Sequence, residues 1–537
     1  MAILPIRDLG SAGVISDVSS YNIPINAFNH GFNVRFDEGK VLRAPIFRNI
    51  KDTLGFSPRF TYGIVPANGF DTVLMVSDAW AIHEYGAGTV TNRSGSITGS
   101  SDPRSYTGTS LADVSYVNRP DRVPVYRGPS GTNFADLPNW DASWRCASLR
   151  SFGDFLIGLN MSEGASSFPS RVRWSNLTLA NQYPGSWDDT DPTVSAGFND
   201  LVQTKTEIID GETLGSNFVI YSNDQVWLME FVGGTFIFNF RKLFTDVGII
   251  NQNCVVEVEG KHYVFDSFDI YMHDGTSKQS ICDERVKNFV FSTLNNQKSD
   301  VCYVQHNPTL NEIYFCYQSG DQYVNFPNAD RCNRAAVYNY RNNTWSFMDL
   351  PNTSSGTIAN VNSVTTYNTS NGTYALTGGT YYQQQDSFAR HTLMVGETLT
   401  ADGITSDKLY GIDLSDAGQI AFQLDTEGTK PVYLERTGLD LDEAGSAVRQ
   451  YTVVTRIYPQ AYTVNTADTT LNFEFGASDL PNATPNYANL AVFDIATDHK
   501  IDSRAAGRYL SYRVPLNDNK DFEISGFDLE ITPTGAR

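Results

Sequence analysis

Polar and apolar residues alternate near the start of the chain. In "GFNVRFDEGKVLRAPIF" (residues 31–47), Phe32, Val34 and Phe36 alternate with Asn33 and Arg35, the period of two that marks a half-buried strand. Asp37-Glu38-Gly39-Lys40 supplies a turn in which Gly39 takes a positive φ without a Cβ clash, Val41 and Leu42 start a return strand, and Pro45 stops it. A lone hairpin is marginal in water, so its apolar face must dock on a later part of the chain or on another subunit. Phe32, Val34 and Phe36 are therefore the proposed interface hairpin.

The same alternation recurs as a repeat. "NFVIYSNDQVWLMEF" (217–231) reads as an apolar strand, a polar turn and a second strand carrying Trp227, and "HYVFDSFDIYMHDG" (262–275) repeats the form with Tyr271. "DFLIGLN" with "RVRWSN" (154–176), "NEIYFCYQSG" with "AAVYNYRNNTWSFMDL" (311–350), "TLMVG" with "KLYGID" (392–413) and "DTVLMVSDAWAIHEYGAG" (71–88) complete six units. Four strands with short turns need roughly 40–50 residues, the size of a propeller blade. The units are irregularly spaced and lack a Trp-Asp signature, so the expectation is an irregular β-propeller of about six blades with inserted loops, spanning 51–415. A series of two-sheet sandwiches would give similar hairpins.

From 416 the strands lengthen, as in "YTVVTRIYPQAYTV" and "GRYLSYRVPLNDNKDFEISGFDLEITPTGAR", and read as a β-sandwich-like module over 416–537. In its last part Tyr509, Ser511 and Arg513 fall on one strand face and Leu510 and Tyr512 on the other. An arginine in that setting pairs with a neighbouring carboxylate. Residues 1–50 form an N-terminal segment and hairpin belonging to a platform or subunit interface. The fold class is mostly β.

Composition agrees: 41% hydrophobic and 12% aromatic residues make a packed protein, and 60 acidic against 39 basic residues give a net charge of −21. Such a balance favours solubility and offers no grip on nucleic-acid phosphates. "MAILPIRDLG" lacks the basic and apolar regions of a cleavable signal, and no apolar run is long enough to span a membrane. The six cysteines are far apart with no C-x-x-C, which predicts buried free thiols in a reducing compartment. Asn176-Leu177-Thr178 and Asn371-Gly372-Thr373 are read as polar turn sequence.

Little in the chain points to catalysis. No phosphate loop, nucleophile elbow or H-E-x-x-H motif occurs, so catalytic, cofactor and metal residues are all expected to be none and the protein is expected not to be an enzyme. His262 and His273 bracket one predicted hairpin and can approach each other as packed histidines. Asp188, Asp189, Asp224 and Asp269 are the carboxylates to weigh for glycoside chemistry, but each sits where a turn aspartate bonds its own backbone. Gly233-Gly234 serves a hairpin turn.

Three stretches, taken in order, carry a resemblance. "GVISDVSSYNIPINAFNHGFNVRFDEGKVLRAPIF" (13–47) resembles the start of tail proteins from short-tailed (podovirus-type) bacteriophages: an acidic G-V-x-x-D segment, a proline-containing loop, then N-V-R-F-x-x-G-K. "RVKNFVFSTLNNQKSDVCYVQHNPTLNEIYFCYQSG" (285–320) with "VYNYRNNTWS" (337–346) is similar to that family's central propeller segment, and "GRYLSYRV" with "ISGFDLEITPTGAR" (507–537) to its end. Residues 88–150 and 350–390 match nothing in it. The resemblance implies a tail nozzle (tail tube or hub) protein: a virion structural protein made in the host cytoplasm. Its copies, as a homohexamer below the adaptor ring of the portal complex, surround a channel for DNA ejection. Tail fibres or spikes and the host cell surface would be further partners, and DNA would pass without specific binding, along a lumen kept slippery by acidic residues. The alternative is a propeller-type tail protein that binds or cleaves host-surface glycans.

Overall fold

The computed structural model describes residues 2–51, 53–64, 71–86, 88–97, 99, 105–234, 236–321, 330–359, 391–399, 405–413, 432–440, 451–463, 469–487, 490–516 and 522–535. The Asn371-Gly372-Thr373 sequon and most of 350–390 lie outside them. Strands dominate because alternating β-branched and aromatic residues are cut by residues that tolerate positive φ. Ala112 and Asp113 (φ 53° and 64°) make one such two-residue hairpin, and Glu38 and Gly39 (47° and 78°) make the turn predicted for the opening hairpin.

Among the described residues, six four-stranded antiparallel sheets and the first four strands of a ten-stranded sheet form a propeller of seven blades. Blade 1 is Pro58–Ile64, Thr72–Ser77, Ile82–Gly86 and Thr89–Asn92, and blade 2 is Thr107–Leu111, Val114–Asn118, Val125–Arg127 and Ala135–Asp136. Blade 3 is Trp144–Phe152, Phe155–Glu163, Ser166–Trp174 and Gly197–Asp200, and blade 4 is Ile208–Leu214, Asn217–Ser222, Val226–Phe231 and Phe238–Phe244. Blade 5 is Val255–Val258, Lys261–Phe265, Ile270–His273 and Lys278–Ser280, and blade 6 is Tyr303–Asn307, Glu312–Tyr317, Cys332–Asn339 and Thr344–Thr353. Blade 7 joins Ser355–Ala359, His391–Leu399 and Thr405–Asp413 to Ile46–Lys51, a strand taken from before the propeller begins.

The count is seven because blade 2, built from short strands, lies in the stretch that sequence reading left unplaced. The boundary expected at residue 50 falls inside the strand that closes blade 7, since that strand's partner, Tyr410 opposite Asn49, arrives only at the far end of the ring.

First strands line the axis and pack on one another around the ring. The ring closes where the Thr61 N–H donates to Ser355 Oγ at 3.1 Å and the Gly63 N–H to Thr357 Oγ1 at 2.7 Å. Near the axis Arg150 donates to Asp210 at 2.8 Å and to Asn253 Oδ1 at 2.9 Å, tying blades 3, 4 and 5.

The C-terminal module is a two-sheet sandwich. One sheet orders Ile501–Gly507, Tyr451–Thr463, Phe522–Gly535, Lys40–Arg43 and Val34–Asp37, with Ala2–Ile6 also on Phe522–Gly535. The other continues blade 6 outward: Thr344–Thr353, His30–Phe32, Val432–Asp440, Tyr509–Leu516, Thr470–Ser478 and Asn486–Tyr487. Between them pack Phe473, Phe475, Tyr512 and Phe527, with the Phe527 ring 5.2 Å from Tyr512 and 5.7 Å from Phe473.

Candidate functional site at the propeller–sandwich junction

The three stretches singled out by resemblance, hundreds of residues apart, meet at one place: the seam between blade 6 and the sandwich. Gly13 runs against the Thr344 side chain and the Trp345 backbone, where a Cβ would lie 2.9 Å from Thr344 Cβ and from Trp345 N, and its φ of 68° also favours glycine. Val14 is buried, and Asp17 accepts from the backbone N–H groups of Asn288 (2.8 Å) and Phe289 (3.3 Å) at the start of the short helix Lys287–Thr293. The Ser16 and Asp17 N–H groups donate to Arg285 O, and Trp345 Nε1 donates to Ile281 O at 2.9 Å.

The second motif is used residue by residue. Asn33, at φ 57°, interrupts the opening strand so that His30–Phe32 pairs with blade 6 and Val34–Asp37 turns into the other sheet. Its amide donates to Asp349 Oδ2 at 3.2 Å and accepts from the Asp349 N–H at 2.9 Å. Arg35 reaches Glu312 at 3.1 Å, both side chains almost wholly buried, and the Tyr314 hydroxyl donates to the second Glu312 oxygen at 2.8 Å. Burial pushes the Glu312 carboxyl above its ordinary range, and the Arg35 charge pulls it part of the way back. Lys40 pairs with Glu523 at 2.9 Å, and Val41 sits opposite Ile524 of the last strand.

Of the two docking partners left open for Phe32, Val34 and Phe36, a later part of the chain is the one these contacts supply. Val34 and Phe36 are 1% and 2% exposed, and the Phe32 ring packs 5.9 Å from Phe289, 5.8 Å from Phe347 and 6.5 Å from Tyr433. The hairpin docks within its own chain, with Val34 and Phe36 buried and Phe32 half-buried. Asn33 and Arg35, expected on the wet face, are buried as well, because blade 6 covers that face.

Two arginines complete the seam without a sequence signal to announce them. Arg334 lies on blade 6 over the Phe32 ring (4.8 Å) and pairs with Asp321 at 2.8 Å. Arg436 is buried and donates to the carbonyls of Ser20 (2.8 Å) and Ile23 (3.2 Å), pinning the proline-containing loop. Burial lowers its pKa to about 10. At the C-terminal end Arg513 pairs with Glu474, the kind of partner expected, while Tyr509, Leu510, Ser511 and Tyr512 are all buried.

The other candidates fall elsewhere. His262 and His273 are cross-strand neighbours in blade 5, both within hydrogen-bond reach (2.6 Å) of the Tyr221 hydroxyl of blade 4. The Gly275 N–H points at His273 Nδ1, and His262 Nε2 points at Thr213 O. One proton order satisfies every atom: His273 Nε2–H donates to Tyr221, Tyr221 O–H donates to His262 Nδ1, and His262 Nε2–H donates to Thr213 O. Burial lowers the two imidazoles to about 4 (His262) and about 3 (His273), so this blade-to-blade staple is neutral.

Asp188 caps its own turn at Thr190, Asp189 pairs with Arg173, Asp224 accepts from Thr206, and Asp269 accepts from Ser280. They are not brought together. All six cysteines are buried free thiols. Among the described residues no three His, Cys, Asp or Glu side chains gather as a metal would need, and no helix is long and apolar enough to cross a membrane.

No family model and no curated protein matches the chain. Similar solved structures include the WD40 β-propeller domain of Doa1, at 10% identity over 70% of this chain and 99% of that one with a TM-score of 0.36. A chain of a mitotic checkpoint complex matches at 8% identity over 67% and 90% with a TM-score of 0.37. The propeller assignment stands on the seven blades and their closure.

Proposed function

We propose that the chain is a structural subunit of a short-tailed phage tail, one copy of a nozzle ring through which DNA leaves the particle. One observation carries this reading: the three stretches that resemble the tail family form a single joint. The first stretch bridges the other two: its Asn33 and Arg35 reach blade 6, and its Val41 pairs with the last strand. A ring that transmits load during ejection needs its subunit to move as one body, and the buried Arg35–Glu312 and Asn33–Asp349 contacts supply that rigidity. The net charge of −21 suits a wall along which DNA slides, since phosphate-neutralising contacts would retard it. The ring is a homohexamer seated on the portal's adaptor, without catalysis of its own, and its place is the virion tail.

Light scattering and negative-stain imaging of the full chain, alone and mixed with the adaptor ring, test this. The expected result is a ring of about six copies with an axial hole, formed alone or on the adaptor, within the range of closed cyclic assemblies. A protein that stays monomeric and ignores the adaptor contradicts it.

A further inference from the structure

Between blades 1 and 2 lies a groove of about 800 Å³, on the face that carries the Ala112-Asp113 turn. At its floor Glu84 accepts from Arg127 Nη2 at 2.7 Å, Arg93 Nε at 2.8 Å and Thr72 Oγ1 at 3.0 Å. Burial pushes the Glu84 carboxyl up, but the two guanidiniums outweigh it and hold the group at about 2. Two arginines on one carboxylate leave a positive charge over, in a chain whose net charge is −21. The carboxylate of Asp113 stands at the exposed rim.

Each guanidinium has five N–H donors, and each gives Glu84 only one of them. Arg127 is also held by the Phe134 ring, 5.2 Å away, so its fork is set before any ligand arrives. Ser110, Ser115, Ser130 and Thr132 add hydroxyls to the lining and Asn181 an amide, beside the apolar Ile64, Leu111 and Pro129. That lining suits a ligand dense in hydroxyls, and the volume falls in the usual range for small-ligand sites.

We propose that this groove binds a carboxylated oligosaccharide, with the sugar carboxylate on the free edges of Arg93 and Arg127 and its hydroxyls on the Ser, Thr and Asn side chains. The proposal does not rest on the nozzle reading, and its failure leaves that reading untouched. A bidentate arginine–carboxylate contact sets both affinity and orientation, so a neutral sugar of equal length should bind at least about tenfold more weakly.

Calorimetry on the full chain with a panel of uronate- and sialate-bearing oligosaccharides, maltotriose, hexaglutamate and inorganic phosphate is the test. A carboxylated glycan should bind with Kd below about 1 mM. Arg93→Gln, which leaves Arg127 on Glu84, should weaken it by about tenfold in a chain that still folds and melts cooperatively. Phenylglyoxal modification of the wild type, read by mass spectrometry, gives a second readout free of folding effects: the bound glycan should protect Arg93 and Arg127. Four outcomes overturn the proposal: no carboxylated glycan of the panel binds, it binds with both arginines unprotected, hexaglutamate binds as tightly, or inorganic phosphate displaces it at equal concentration.

Discussion

Blades 3 to 5 and the propeller–sandwich junction are built in opposite ways. Each of those blades is four consecutive strands joined mostly by short turns, and its register follows from neighbours in sequence. At the junction the contacts that tie down the N-terminal segment span hundreds of residues: Arg35 to Glu312, Asn33 to Asp349, Arg436 to the carbonyl of Ser20, Val41 to Ile524. A fault in a blade is therefore local, whereas a fault at the junction releases two domains at once. Late, non-local pairing is also the slow part of folding, since loop closure is costly before the contact rewards it.

The largest test of that difference removes residues 2–43. The deletion takes three strands from one sandwich sheet, one from the other, and the cap on the short helix, so the expected outcome is insoluble or proteolysed protein rather than a free propeller. A soluble, cooperatively melting propeller from this deletion would show that the segment is an accessory.

Next comes Arg35→Ala. It leaves Glu312 buried without its charge partner and should cost about 3–5 kcal/mol in chemical denaturation, while Arg35→Met with Glu312→Leu should recover much of it. Equal losses from the single and double changes would show that the cost does not come from an unpaired Glu312.

The blade staple gives a smaller, pH-dependent effect. His262→Gln breaks the chain through Tyr221 and should cost about 1–3 kcal/mol at pH 7. The native imidazole is held at about 4, below its unfolded value of 6.5, so the wild type is fully stabilised above pH 6.5 and loses stability as pH falls toward 4. The slope for this one group is about 1.4 kcal/mol per pH unit. Asp266 and Asp407, pushed up to about 6 by burial, act in the reverse sense in wild type and variant alike. The gap between the two proteins should therefore narrow from pH 6.5 to 4; a constant gap would refute the neutral staple. Val202→Ser, at an 86% exposed position beside blade 3, should stay within about 0.5 kcal/mol of wild type.

What could be seen in the sequence follows the same division. Six hairpins were legible because each carries its alternation, turn and third-strand aromatic within one short window, from Tyr85 to Tyr410. Blade 2 was not, because its strands are short and "TGTSL" is polar, although Tyr126 holds the equivalent third-strand place. Ile46–Lys51 was not legible as the last strand of blade 7, since its partner comes over three hundred residues later. Nor could the alternation around Arg35 say that its polar face is covered, because the covering residue, Glu312, belongs to blade 6. The Tyr221 bridge between His262 and His273 joins two blades, whereas the approach of the two histidines is a local, cross-strand matter that sequence could reach.

Native-state hydrogen exchange tests the central claim most directly. If the junction makes propeller and sandwich one body, amides of Val34–Asp37, Thr344–Thr353, Tyr509–Leu516 and Phe522–Gly535 exchange only through a common opening, and Arg35→Ala speeds them all by the same factor. Sandwich amides that exchange independently of blade 6, with Arg35→Ala changing only its immediate neighbours, would contradict the account.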